Sequence, residues 1–190
     1  REAEMMGVDS IWTSEAWGTD AISPLAFLAG RTSSVRLGTG IIQVGSRTPA
    51  NLVMTSLTMQ LISEGRFILG LGTSGPQVME GWHGVPFRSA VSRTKELIEI
   101  IRKGVSGEAL NYVGNHYSLP LTGGEGKAIR SSVPPTEVPI FVASLGPANL
   151  DMTGELADGW LGGCFIPETA NVFLDKLRVG LGKSDRTMEE

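Results

Sequence analysis

Apolar residues fall in short runs separated by longer stretches of helical period. Val8 to Thr13, Val35 to Ile42, Phe67 to Leu71, Ile140 to Ala143 and Gly159 to Gly163 read as five strands, each bounded by glycine, proline or small polar residues. Helical patterns follow them. One opens at Ser23-Pro24 and runs through Leu25, Phe27 and Leu28. Another opens at Thr48-Pro49, with Leu52, Val53, Leu57, Leu61 and Ile62 as its apolar positions. Gly146-Pro147 leads into a third through Leu156, and Ile166-Pro167 into a last one with Val172, Phe173 and Leu177. Five of the ten prolines (Pro24, Pro49, Pro76, Pro147 and Pro167) stand where a strand's exit loop meets a helix. Proline suits a first helical position because its missing N–H would have no intrahelical partner there. The strand starts at Val8, Val35 and Phe67 are spaced by about one βα unit of roughly 30 residues. Strands alternating with helices imply a parallel sheet, either a (β/α) barrel or a doubly wound sheet. In both, function gathers at the carboxyl ends of the strands.

One segment breaks the rhythm. Phe87 to Val105 is an amphipathic helix with Leu97, Ile98, Ile101 and Val105 inward. Leu110 to Leu119 then reads as a hairpin turning at Gly114-Asn115. Thr122 to Val138 is rich in glycine and proline and reads as a long excursion, so residues 106–138 form an insertion in an otherwise single domain, 1–190. Arg1 to Met6 resembles the tail of a helix stopped by Gly7, and Glu189-Glu190 follow a helix without a domain-like ending. The chain is therefore expected to be a piece of a longer protein.

The densest candidate chemistry is the run Gly65 to Gly84. The strand Phe67 to Leu71 breaks into Gly72-Thr73-Ser74-Gly75, and Pro76 then presets a helix start with Ser74 as a cap. N–H groups bunch at such a junction and attract anions. Gly70-Leu71-Gly72-Thr73-Ser74-Gly75 has G-x-G-x-x-G spacing. A nicotinamide-type fingerprint also needs a strand ending in an acidic residue about 20 residues on. Here Glu96 lies inside a long helix, which weighs against that reading. The glycines have a plain alternative, close packing of strand and helix.

Composition narrows the classes. Charged residues are 19%, below the roughly 25% of an average soluble chain, which suits buried parallel strands. Net charge is −4 with pI about 5.3 and no basic run, so nucleic-acid binding has no electrostatic support. No apolar run is long enough to span a membrane and no signal-peptide pattern opens the chain. The single cysteine, Cys164, rules out an internal disulfide and fits a reducing cytoplasm. His83 and His116 lack the Cys or acidic company of a metal site and read as hydrogen-bonded structural residues. Trp12 and Trp160 read as core; Trp17 and Trp82 lie in exit loops, where either could pave a pocket for a flat ring. Glu15, just past the first strand, is either a solvated loop charge or a group for hydrogen bonding or proton transfer. Gly40-Ile41 is either an ordinary strand-end bulge or a distortion pushing an apolar residue behind a planar cofactor.

Leu37 to Gln43, Gly65 to Gly84 and Ala157-Asp158-Gly159-Trp160 together resemble the bacterial luciferase-like superfamily. The likeness is to the branch that uses the deazaflavin coenzyme F-420, which includes methylenetetrahydromethanopterin reductase and a glucose-6-phosphate dehydrogenase. The resemblance implies a (β/α)8 TIM barrel, present here as a partial barrel of about strands two to six with the insertion after the fourth. It implies hydride transfer between reduced coenzyme F-420 and an organic substrate. The alternatives are an FMN-dependent monooxygenase of the same fold and a non-catalytic barrel fragment. The family's non-proline cis peptide would fall on Gly40-Ile41, behind the ring, with Gln43 beside it. Thr73, Ser74, Gly75, Gln77 and Val78 would line the cofactor. Ser144, Leu145 and Gly146 would offer N–H groups to its phosphate, with Gly162 nearby. Glu15 matches a family acidic residue near the ring, in a tentative catalytic role. The sugar-phosphate branch places a histidine directly after that residue; here it is Ala16, so its proton-transfer scheme does not carry over. A small-molecule substrate, a cytoplasmic setting and a homo-oligomer, a dimer, complete the expectation.

Overall fold

The computed structural model describes residues 1–163 and 165–188. Cys164, and the chain ending at Glu189 and Glu190, lie outside the described residues. In chain order the elements are α1 (Glu2–Met5), β1 (Ser10–Thr13), α2 (Ile22–Ala29), β2 (Arg36–Thr39), β3 (Ile42–Gln43), α3 (Pro49–Ser63), β4 (Phe67–Gly72), α4 (Ala90–Val105), β5 (Tyr112–Val113), β6 (Ser118–Leu119), β7 (Ile140–Ala143), α5 (Pro147–Leu156), β8 (Gly159–Trp160) and α6 (Asn171–Lys183). A π-helical turn covers Gln77–Trp82 and a 3-10 turn Pro167–Thr169.

The sheet decides between the two architectures left open by the sequence. Its strands run β1-β2-β4-β7-β8, with β3 also on β4, and every pairing is parallel. Position in the sheet therefore follows position in the chain without a reversal. A doubly wound sheet reverses at its switch point; a barrel does not. The described residues supply five consecutive barrel positions, counting β2 and β3 as one.

Strand alternation sorts the two faces. Leu37, Phe67, Leu69, Leu71, Ile140 and Val142 are buried against Leu25, Leu52, Leu57, Leu97, Ile98 and Ile101 of the helices. Each such side chain contributes roughly 1.5–3 kcal/mol on burial. Trp12 and Phe141 stand on the opposite face, ring centroids 5.9 Å apart. Trp12 and Trp160 are half-buried rather than core. Trp12 leans over Gly38, where a Cβ would meet its ring at 2.3 Å. Trp160 packs on Phe173 of α6 at 5.3 Å.

The prolines mark helix starts with variations. Pro49 and Pro147 occupy the first turns of α3 and α5, and the Thr48 hydroxyl accepts the Asn51 N–H. Pro167 opens the 3-10 turn instead of α6. In α2 the start lies upstream of Pro24, because Asp20 Oδ1 accepts the N–H groups of Ile22 and Ser23. The expected strand Val35 to Ile42 is broken in two between Thr39 and Ile42. The helix expected from Phe87 begins at Ala90.

After α4 comes the hairpin β5–β6, with a loop over residues 114–117. Buried Glu96 of α4 holds that loop by accepting N–H groups of Asn115, His116 and Tyr117 at 2.7–3.1 Å. Residues 120–138 form neither helix nor strand before β7. At the amino end of the sheet, Arg66 donates to the carbonyls of Ala29, Thr32, Val35 and Ser63 and to the Thr32 hydroxyl. One guanidinium thus ties the ends of α2 and α3 to the entry of β2.

Candidate functional site

The site is built where the parallel strands finish. β2 stops at Thr39, and the Gly40–Ile41 peptide that follows is cis. The ladder to β4 lapses here: β2 pairs with Phe67 and Ile68, β3 with Leu71 and Gly72. Thr39 bridges the gap. Its Oγ1 donates to the Gly70 carbonyl and accepts from the Gly70 N–H, both at 2.8 Å. A hydroxyl is suited to this because it donates and accepts at once.

The glycines of β4 follow from the same crowding. A Cβ at Gly70 would lie 1.8 Å from the Thr39 carbonyl oxygen. At Gly72 it would lie 2.9 Å from two carbons of the Ile41 side chain. So Gly70 permits close strand approach, and Gly72 leaves the space that Ile41 occupies. The G-x-G spacing serves strand contact, not a dinucleotide turn.

Beyond these strand ends opens a cavity of about 470 Å³, within the range of roughly 300–1,000 Å³ usual for small-molecule sites. Glu15, Ile41, Thr73, Ser74, Ser144, Leu145 and Gly146 all border it. Gly40, Gln43, Gly75, Gln77, Val78 and Gly162 do not. The Gly40 N–H donates to the Thr13 carbonyl at 2.7 Å. Gln43 is fully buried; its Nε2 donates to the Glu15 carbonyl at 2.7 Å, and its Oε1 has no partner. Gln77 and Val78 begin the π-helical turn. Gly162 is flanked by Leu161 and Gly163, which do line the cavity. Ser74 does not cap the turn. It sits in the left-handed region at φ 55°, and the N–H groups of Val78 and Met79 reach the Gly75 carbonyl instead.

The far wall is the start of α5. Gly146 precedes the helix without a side-chain cap, leaving first-turn N–H groups facing outward. The loop before it is fixed from behind. Trp160 Nε1 donates to the Ser144 carbonyl at 2.9 Å, and the Ser144 hydroxyl bonds to Thr153 Oγ1. Ser144 therefore offers backbone rather than hydroxyl. Asn149, which sequence reading missed, lines the cavity one turn into α5, and its Oδ1 is buried without a partner. Its place after Gly146-Pro147 was a usable signal; Leu161, also missed, had none.

The Ala157 to Trp160 motif has a structural account. Asp158 Oδ2 accepts the Ile140 N–H and an Arg102 N–H, both at 2.7 Å. The Phe141 ring lies where a Gly159 side chain would stand.

A second cavity, of about 260 Å³, adjoins the first, and Glu15 borders both. Arg47 Nη1 and Nη2 donate to the two Glu15 carboxylate oxygens at 2.6 and 2.8 Å, and the Ala21 N–H adds a third bond at 2.9 Å. The Glu15 hydrogen bond holds the guanidinium above its ordinary pKa. The Ser23 N–H beside Asp20, with a smaller contribution from Arg47, holds that carboxyl below its usual range. Arg47 was not anticipated, since no local pattern links residues 32 apart. Of the two histidines, His116 bonds to the Ser92 hydroxyl at 2.7 Å, whereas His83 Nε2 is buried with no partner. Among the described residues no group of three or more His, Cys, Asp or Glu could hold a metal, and no helix is long and apolar enough to cross a membrane.

The luciferase-like monooxygenase family profile matches residues 1–190. A Mycobacterium tuberculosis protein provisionally named as a coenzyme F-420-dependent oxidoreductase is 43% identical over 95% of this chain and 54% of its own length. The 5,10-methylenetetrahydromethanopterin reductase of Methanolobus tindarius is 31% identical over 99% of this chain and 56% of its own. The solved coenzyme F-420-dependent tetrahydromethanopterin reductase of Methanopyrus kandleri superposes with a TM-score of 0.85 at 24% identity, over 98% of this chain and 57% of that one. The chain thus spans a little over half the length of the relatives it matches.

Proposed function

The chain belongs to the luciferase-like monooxygenase family, and from that premise we propose that it is the cofactor-holding part of an oxidoreductase using the deazaflavin coenzyme F-420. The observation that carries this reading is the 470 Å³ cavity on which Ile41, the Gly72–Ser74 bend and the start of α5 converge. Its features fit the group. Gly72 and Ile41 give a flat apolar floor, and the uncapped helix start with Asn149 gives donors and an acceptor for a polar tail.

When bound, coenzyme F-420 supplies hydride transfer to or from an organic small molecule. The protein's work is to hold and insulate it. Ile41 would back the ring. Thr73 and Ser74 would edge it, with Gly75, Gln77 and Val78 shaping that bend. The N–H groups at Leu145 and Gly146 would be offered to the phosphate. Gly40, Gln43 and Gly162 set the positions of the residues that touch. Glu15 is a fixed part of the wall, because three donors already occupy its carboxylate.

Two further readings belong here. α2 and α3 carry no charged residue along their whole lengths, yet Phe27, Met54 and Leu61 are 56–68% exposed on their outer surfaces. We infer that a second copy covers this face, since the two helices bring no charge of their own to it and the one guanidinium beside it, Arg31, is stacked on the Phe27 ring. A cytoplasmic setting fits a chain with one cysteine.

Titration of the full-length protein with oxidised coenzyme F-420, followed by fluorescence, tests the main reading. Saturable binding, with FMN at least about tenfold weaker (about 1.4 kcal/mol), is the expected result. Binding of FMN without coenzyme F-420 overturns it.

A further inference from the structure

The second cavity has a chemistry of its own. We propose that it receives the substrate, that it selects a neutral or cationic small organic molecule with a flat apolar portion, and that His83 Nε2 hydrogen-bonds that molecule's polar atom. The proposal rests on the reading that coenzyme F-420 occupies the neighbouring cavity. Hydride transfer needs donor and acceptor carbons about 3–3.5 Å apart. The acceptor must then lie in space next to the cofactor, and the two cavities share Glu15 as wall.

Charge sets the class. The lining holds two carboxylates, Glu15 and Asp20, and one guanidinium, Arg47. Arg47 spends both terminal nitrogens on Glu15. Asp20 stays ionised, its carboxylate held by the N–H groups of Ile22 and Ser23. Among the described residues of the lining no cation is left for a phosphate or carboxylate, and an anionic ligand would face the Asp20 carboxylate unopposed. A neutral or cationic molecule meets no such opposition.

Shape and hydrogen bonding supply the rest. Trp82 is 64% exposed at this cavity, an indole face open for a flat group to stack on. His83 follows it, its N–H tied to the Val78 carbonyl at 3.0 Å, which fixes the backbone while the ring nitrogen stays unpaired. An unpaired buried polar atom is unfavourable, and a ligand's hydroxyl, carbonyl or amine would supply the missing bond. Ala16, in the same lining, brings no polar side chain, so His83 supplies the cavity's imidazole.

The experiment uses the full-length protein and the ring signals of its histidines by NMR, with His83→Gln identifying the His83 signal. The probes are benzyl alcohol and benzyl phosphate, matched in their flat portion and differing in charge. Expected are a saturable shift of the His83 signal by benzyl alcohol, an unmoved His116 signal, and at least about tenfold weaker binding of benzyl phosphate. His83→Gln and Trp82→Ala each weaken benzyl alcohol binding about fivefold or more, while coenzyme F-420 affinity stays within about twofold of wild type. Trp82 is exposed, so its variant keeps the test alive if His83→Gln fails to fold. A His83 signal indifferent to benzyl alcohol, or benzyl phosphate binding as tightly, overturns the proposal. Loss of coenzyme F-420 binding with benzyl alcohol binding intact overturns the assignment of the coenzyme to the first cavity instead.

Discussion

Single side chains carry much of this structure. Thr39 stands in for a stretch of missing strand ladder, so Thr39→Val strands the N–H and carbonyl of Gly70. A loss of about 1–3 kcal/mol is expected, read as a lower urea midpoint with unchanged m, while Thr39→Ser retains most of the stability. Arg66→Met removes five charge-assisted bonds at the opposite end of the sheet and is expected to cost about 3 kcal/mol or more, with little effect on coenzyme binding. Residue-level roles were only partly legible in the sequence. Gly40-Ile41 was singled out by the family resemblance, the residues alone leaving an ordinary bulge beside it, and Gly72 was legible only as part of a glycine-rich bend. The Ser74 cap failed because the chain turns left-handed there and the turn closes on Gly75 instead. Arg47 was invisible, since its partner lies 32 residues away.

At the scale of elements, periodicity located all the sheet strands and the five longer helices, because buried strands and amphipathic helices leave different spacings. It did not find the break between β2 and β3, where composition stays apolar while geometry changes, nor the π-helical turn, whose hydrogen bonds leave no sequence period. Glu96 fastens the insertion's hairpin loop to α4, beside the bonds of Tyr112 to Glu99 and of His116 to Ser92. Burial works against the Glu96 charge, but three loop N–H groups outweigh it and hold the pKa below the ordinary glutamate range. A depressed folded-state pKa means the contribution is complete above about pH 4.3, the unfolded value, and is lost as pH falls through the lower folded value. Limited proteolysis should therefore begin within residues 106–138 as the medium is acidified, and Glu96→Ala should show the same cleavage at neutral pH. Helices α5 and α6 meet through glycine: a Cβ at Gly180 would stand 2.0 Å from the Asp151 carbonyl oxygen. Gly180→Ala is expected to push them apart and lower Tm by several degrees, roughly 1–3 kcal/mol.

For the molecule as a whole, the order of strands across the sheet settled what spacing alone left open, since βα alternation is common to barrels and doubly wound sheets. The uncharged outer face of α2 and α3 belongs to this scale too. Leu61→Glu places a charge on an exposed site, where it should leave the fold intact, and is expected to shift the full-length protein from dimer to monomer in sedimentation. A wild-type monomer would remove the second copy from the proposal. Finally, Glu15 borders both cavities and is gripped by Arg47 from the second, and that makes their occupants thermodynamic neighbours. Any factor by which the redox group alters the grip on its reaction partner, acting through Glu15 and Arg47, must be returned in equal measure the other way. Arg47 itself lines the second cavity, so the linkage is read most directly as one ligand's affinity measured with and without the other bound.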